Sequence, residues 1–131
     1  MGTRTLECTK RMMGLKLYAA LAVHGTDVFA EHVAHCFDLG ARFAQLLRAE
    51  PDFELAVEPQ CNIVCFRHVP KGATELDAVQ ERIRRKLVAS GEFYVVQTRL
   101  SGKLYLRSAL MNSMTTEAEL VRLIQACREA A

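Results

Sequence analysis

Apolar positions along this chain follow two periods, one helical and one extended, and the changes of period mark out eight elements. Met12, Met13, Leu15, Leu17, Tyr18, Leu21 and Val23 spread around most of a helix predicted over Thr9–His24, capped by Thr9 and stopped at Gly25. A second helix from Asp27 towards Ala49 carries Phe29, Val33, Cys36, Phe37, Gly40, Phe43 and Leu47 at spacings of three and four, and ends before Pro51. Phe53–Val57 and Asn62–His68 read as strands, broken at Glu58-Pro59-Gln60. Thr74 with Asp77 has the form of a capping box for a helix whose inner face is Leu76, Val79, Ile83 and Leu87, with Gly91 beyond its end. Arg82, Arg84, Arg85 and Lys86 are mainly its solvated side. Tyr94–Leu100 and Lys103–Leu110 flank Ser101-Gly102, a two-residue connection suited to a tight hairpin. Thr116 and Glu119 give another capping box before a last helix with Leu120, Leu123, Ile124 and Cys127 inward.

The order helix, helix, strand, strand, helix, strand, strand, helix predicts an α+β fold, a small, largely antiparallel four-stranded sheet covered by helices. The first helix is apolar on nearly all sides, which is normal only for a helix buried on nearly all sides. So small a sheet cannot bury it, so its excess apolar surface implies a further domain or subunit. Residues 1–25 therefore read as a helical segment linking to that missing part, and residues 26–131 as the small α+β domain.

The 131 residues, 50% hydrophobic and 24% charged, suffice for one core. A net charge of +2, with cations scattered among acids, leaves no electrostatic footprint for nucleic acid. No apolar run approaches the roughly 20 residues that cross a bilayer, and no signal-peptide core is present, so a cytoplasmic chain without a membrane partner is expected. The five cysteines, Cys8, Cys36, Cys61, Cys65 and Cys127, sit in apolar-periodic segments and read as free buried thiols. His32 and His35 with Cys36 share a helical face, but without a further ligand they read as ordinary surface or core-edge residues. No glycine-rich phosphate loop or nucleophile elbow occurs.

One residue stands out against this background. Arg107 lies in the middle of the apolar run Leu104-Tyr105-Leu106-Arg107-Ser108-Ala109-Leu110. A guanidinium that is desolvated stays charged and needs a carboxylate, phosphate or carbonyl partner. Strand alternation puts Arg107 on one face with Tyr105 and Ala109, and Leu104, Leu106 and Leu110 on the core face. Its partner is then either an acid of the same domain or an outside group of one of these kinds.

Three segments carry a resemblance to a known family. Gly14-Leu15-Lys16-Leu17-Tyr18 is similar to an Ala-Leu-Lys-Leu-Trp helix segment, departing from it at Gly14 and Tyr18. Asn62-Ile63-Val64-Cys65-Phe66-Arg67 resembles a core strand, and Gly102 to Asn112 resembles a Gly-Lys-x-x-Leu-Arg strand. Together with Arg4-Thr5-Leu6-Glu7-Cys8-Thr9-Lys10-Arg11, they make nearly the whole chain resemble the C-terminal part of a group II pyridoxal-phosphate-dependent amino acid decarboxylase, the group of the glutamate, aromatic amino acid and diaminobutyrate enzymes.

The resemblance implies the small C-terminal domain of the aspartate-aminotransferase-like (fold type I) enzymes, in which a large domain holds pyridoxal phosphate through a lysine Schiff base. It also implies a homo-oligomer, an amino acid substrate, and a substrate-binding role for Arg107, which matches the arginine that some members use to hold a carboxylate. The cofactor lysine follows a histidine in the family. Here Lys10, Lys16, Lys71, Lys86 and Lys103 have no such context, so no catalytic, cofactor-binding or metal-binding residue is expected in the chain. Without the electron sink that this lysine anchors, the chain alone is expected to be inactive. The competing expectation is a free-standing α+β module that binds a small molecule or a protein.

Overall fold

Alternating apolar residues in the second half of the chain build one antiparallel sheet. Its strands are Phe53–Leu55 (β1), Ile63–His68 (β2), Val96–Leu100 (β3) and Lys103–Ala109 (β4), in the order β1-β2-β4-β3. The computed structural model describes residues 13–131, as two compact units that divide between Val33 and Ala34. Met13–His24 (α1) and the first turns of Asp27–Ala49 (α2) belong to the first unit. The rest of α2, the sheet, Leu76–Ser90 (α3) and Glu117–Ala130 (α4) belong to the second. The expected Thr9 cap lies outside the described residues. The C-terminal end of α1 is as expected, with Gly25 at φ 72°, where a side chain would be strained.

In the first unit the apolar side chains of α1 stand in solvent, Tyr18 at 70% and Val23 at 74% exposure. In the second unit the buried side of α2 is Cys36, Leu39, Gly40, Phe43, Ala44 and Leu47. Gly40 sets that side, because a Cβ there would lie 2.7 Å from the Cys61 carbonyl oxygen, so only glycine lets the helix approach this backbone. Phe37, expected on the inner stripe, consequently falls on a flank and stays exposed; Val33, also expected there, is exposed in the first unit.

The period of two decides the sheet. Phe53, Val64, Phe66 and Leu106 turn to the helices and form the core with Phe43, Leu47, Ile83, Leu123 and Ile124, and Leu104 is buried beside them. Phe43 meets Phe66 edge-on, with ring centroids 5.2 Å apart. Gln80 on α3 is fully buried yet satisfied: it accepts from the His68 amide at 3.0 Å and donates to the His68 carbonyl at 2.8 Å, pinning α3 to β2. The hairpin between β3 and β4 turns on Ser101 and Gly102 at φ 49° and 78°, the left-handed pair that a two-residue turn of primed type requires.

Thr116 and Glu119 form the expected capping box, the Thr116 amide donating to Glu119 at 2.7 Å. The box expected at Thr74 and Asp77 does not form. Asp77 instead accepts from the Leu104 amide at 3.0 Å and from Arg99 at 2.9 Å, so its carboxylate ties the start of α3 to the hairpin. Two strands are shorter by two residues than expected. β1 ends at Leu55 as the chain turns toward Pro59, and β3 begins at Val96, with Val95 buried on the core side and Tyr94 in solvent.

A clasp joins the end of α4 to the start of β1. Arg128 donates from Nε and Nη2 to both oxygens of Asp52, at 2.8 and 2.7 Å, and also to Glu50, while its guanidinium lies 5.3 Å from the Phe53 ring centre. His68 Nε2 reaches Asp52 at 3.1 Å. Arg128 is the main cause holding the Asp52 carboxyl down to about 2, and burial lowers the His68 imidazole against the pull of Asp52. Both folded-state values lie below the unfolded ones, so each group adds stability at higher pH that is lost on acidification. Stability measured by urea denaturation across pH should therefore fall first below about 6.5, where unfolded His68 takes up a proton, and again between 3.8 and about 2 for Asp52. Asp52→Asn should flatten the lower step; an unchanged acid limb would remove the clasp from the account.

Candidate functional site

The face of the sheet turned away from the core carries a row of polar and ionisable side chains. Odd-numbered positions of β2 and β4 point there, and register sets Arg107 opposite Cys65 on one side and Val96 on the other. Across the same face run Glu54, paired with Arg67 in register, and then Tyr105. The expected alternation of β4 is present, with Leu104, Leu106 and Leu110 buried and Arg107 and Ala109 exposed. Tyr105 differs from Arg107: it is only 6% exposed on this uncovered face.

A polar cluster accounts for that burial. Arg67, 7% exposed, lays its guanidinium 5.3 Å from the Tyr105 ring centre and brings Nε to 2.6 Å from Glu54 Oε1. The Tyr105 hydroxyl donates to the same oxygen at 3.1 Å. Burial works to raise the Glu54 carboxyl, and Arg67 and Tyr105 outweigh it, leaving it below its usual range. Burial, and then Glu54, push the Tyr105 hydroxyl up. The arginine that the strand desolvates is thus Arg67. Arg107 is exposed and makes no ion pair or hydrogen bond to any described residue.

Sequence reasoning singled out Arg107 but passed over this neighbouring trio. The signal for it was parity, since Arg67 alternates with Val64 and Phe66 and pairs with an acid on the adjacent strand. Chemically the face offers a guanidinium fork free to take a carboxylate, beside a second one that is held. Burial raises the Cys65 thiol while the charge of Arg107 opposes it, so Cys65 stays a thiol rather than a nucleophilic thiolate. Among the described residues no group of three or more histidine, cysteine or acidic side chains is placed to hold a metal ion.

Comparison with known proteins gives this face its context. The family described as the pyridoxal-dependent decarboxylase conserved domain matches residues 1–69. The chain belongs to this family. Phenylacetaldehyde synthase of Arabidopsis thaliana is 32% identical over 111 residues, which cover 82% of the chain and 22% of that protein. Tyrosine decarboxylase 2 of the same plant is 30% identical over 115 residues, 86% of the chain and 21% of that protein. The glutamate decarboxylase domain of a Vibrio parahaemolyticus diaminobutyrate-pyruvate transaminase and L-2,4-diaminobutyrate decarboxylase superposes with a TM-score of 0.86 at 24% identity, covering 93% of the chain and 26% of that structure. The chain therefore spans about a fifth to a quarter of the length of these relatives.

The four-stranded antiparallel sheet with its helices is the fold shared with these decarboxylases. The pyridoxal group of the family has no fitting site in the described residues. Lys16, Lys71, Lys86 and Lys103 are all solvent-exposed, on α1, a turn, α3 and the hairpin, and none stands in a desolvated pocket that would hold it as a free amine. No helix among the described residues is long and apolar enough to cross a membrane. If Arg67 is built into the face and Arg107 is not, their variants should separate in urea denaturation of the chain. Arg67→Ala should cost about 1–3 kcal/mol through the uncovered Tyr105 and the unpaired Glu54. Arg107→Ala should stay within about 0.5 kcal/mol of the parent. Equal losses would show that Arg107 is structural.

Proposed function

We propose that this chain is the C-terminal small domain of a pyridoxal-phosphate-dependent amino acid decarboxylase, and that Arg107 holds the carboxylate of the substrate there. The observation that carries the reading is the unpartnered guanidinium of Arg107 on the polar face of the sheet, set in a strand whose other face is core. A carboxylate has two oxygens in a plane, and a guanidinium presents two parallel donors to them, whereas lysine offers one point charge. The cofactor chemistry belongs to the rest of the enzyme, because a Schiff-base lysine needs a desolvated setting that none of the described lysines has. The contribution of this domain is then to close the substrate site and to position one carboxylate, and alone it is inactive. A soluble enzyme acting on a free amino acid in the cytoplasm fits the absence of a spanning helix among the described residues.

In the full-length enzyme containing this chain, Arg107→Lys should raise KM for the amino acid strongly and leave cofactor absorbance unchanged. The loss in kcat/KM should correspond to roughly 2 to 5 kcal/mol if the pair is desolvated in the complex. An unchanged KM would leave Arg107 without a substrate role.

The partners inferred are the large cofactor-binding domain and a second copy of the enzyme. Both readings rest on the apolar side chains that α1 leaves in solvent, Leu15, Leu17, Tyr18 and Val23 among them. Light scattering on the purified chain should report self-association. A monodisperse monomer whose α1 amides resist hydrogen exchange would mean that the helix needs no partner.

A further inference from the structure

The solvated side of α3 holds a feature that the decarboxylase reading leaves unused. Arg82, Arg84 and Arg85 line an open groove of about 600 Å³ between α3 and Gln97 of β3, with Glu81 as its one acid. None of the three arginines has an ion-pair or hydrogen-bond partner among the described residues, although six other arginines of the chain are paired. In the same groove the Gln97 side-chain nitrogen is buried and has no acceptor among the described residues. A buried amide donor without an acceptor, next to three unneutralised guanidiniums, is a set of donors lacking an anion.

The groove adjoins an open edge. β3 is the last strand of the sheet and pairs only with β4, so its outer backbone groups meet no described strand. A further strand laid on that edge would run about 4.8 Å from β3, and every second side chain would point to the helix side of the sheet. That side is where the groove lies, because Gln97 is opposite core Leu106 in register. Acidic residues at alternate positions would place their carboxylates among Arg82, Arg85 and the Gln97 amide, with their methylenes against exposed Val88.

We propose that the β3 edge and the α3 flank together bind an extended acidic peptide segment of a partner protein as a fifth strand. Backbone pairing supplies the orientation and the arginines select the charge. A nucleic acid strand fits the groove less well, because no aromatic side chain lines it to stack a base.

The experiment uses the whole chain and a fluorescent eight-residue peptide of alternating valine and glutamate. Anisotropy should show saturable binding, and hydrogen exchange should slow at the β3 amides. The double variant Arg82→Gln/Arg85→Gln changes two exposed, unpartnered residues and should keep the parent's circular dichroism while binding about tenfold more weakly. Gln97→Leu, which leaves every charge in place, should also weaken binding. The proposal is overturned if no binding is seen, if a valine-lysine peptide binds as tightly, or if both variants bind like the parent. Polyphosphate competing fully while the β3 amides stay unprotected would equally overturn it, leaving an anion patch without strand addition.

Discussion

The period-two alternation of the central strands β2 and β4 is the constraint on which the rest of the molecule depends. These strands pair with each other and carry β1 and β3 on their outer sides, so a slip of one residue in their register would turn the core side chains of the slipped strand to the solvent. Fully buried Val64, Phe66 and Leu106 hold that register from the helix side. Opposite them the same register brings Glu54, Arg67 and Tyr105 into contact and leaves Arg107 beside Cys65. One geometric rule thus makes the core and arranges the polar face. A change of register would alter both together.

Elements set by local chemistry were legible in the sequence. The Gly25 and Gly91 helix stops, the Ser101-Gly102 turn and the Thr116–Glu119 box each depend on residues within a few positions of one another, and all four are present. Elements decided by distant partners were not. Asp77 has the sequence of a cap residue, yet the Leu104 amide and Arg99, more than twenty positions away in the chain, compete for its carboxylate and win. The inner side of α2 was likewise set by the approach of Gly40 to the Cys61 backbone, which no helical periodicity reports. The polar face was half legible. Strand parity gave Arg107 its face, but the burial of Tyr105 follows from Arg67 stacking on it across the sheet, a pairing known only once the order of strands is known.

The two ends of the structure differ in how their surfaces are satisfied. The second unit closes its core and joins its last helix to its first strand through Arg128, Asp52 and Glu50, and burial pushes the Cys127 thiol up to about 12, so even its reactive groups are quiet. In α1 the apolar side chains lie open instead. Hydrophobic area left in water contributes nothing to folding, at about 25 cal/mol per Å² of possible gain, and its natural use is in contact with another surface. The chain spans about a fifth to a quarter of the length of the relatives it matches, and the large domain proposed above would offer α1 such a surface.

The arginines make the same distinction between finished and unfinished parts in electrostatic terms. Of the ten among the described residues, Arg42, Arg48, Arg67, Arg99, Arg122 and Arg128 pair with acids of the chain. Those pairs bridge elements distant in sequence, as Arg42 does to Glu117 and Arg122 to Glu92, and they belong to the fold. The unpaired ones, Arg82, Arg84, Arg85 and Arg107, are not scattered. Three share one groove on α3, and the fourth stands alone on the polar face of the sheet. A guanidinium keeps its charge under all physiological conditions, so one with no internal acid beside it acts on whatever anion arrives. The chain holds nearly as many acids as cations, fifteen against seventeen, yet among the described residues these four arginines have no acid paired with them. Such local imbalance in a nearly neutral chain is what sets a binding surface apart from a merely solvated one.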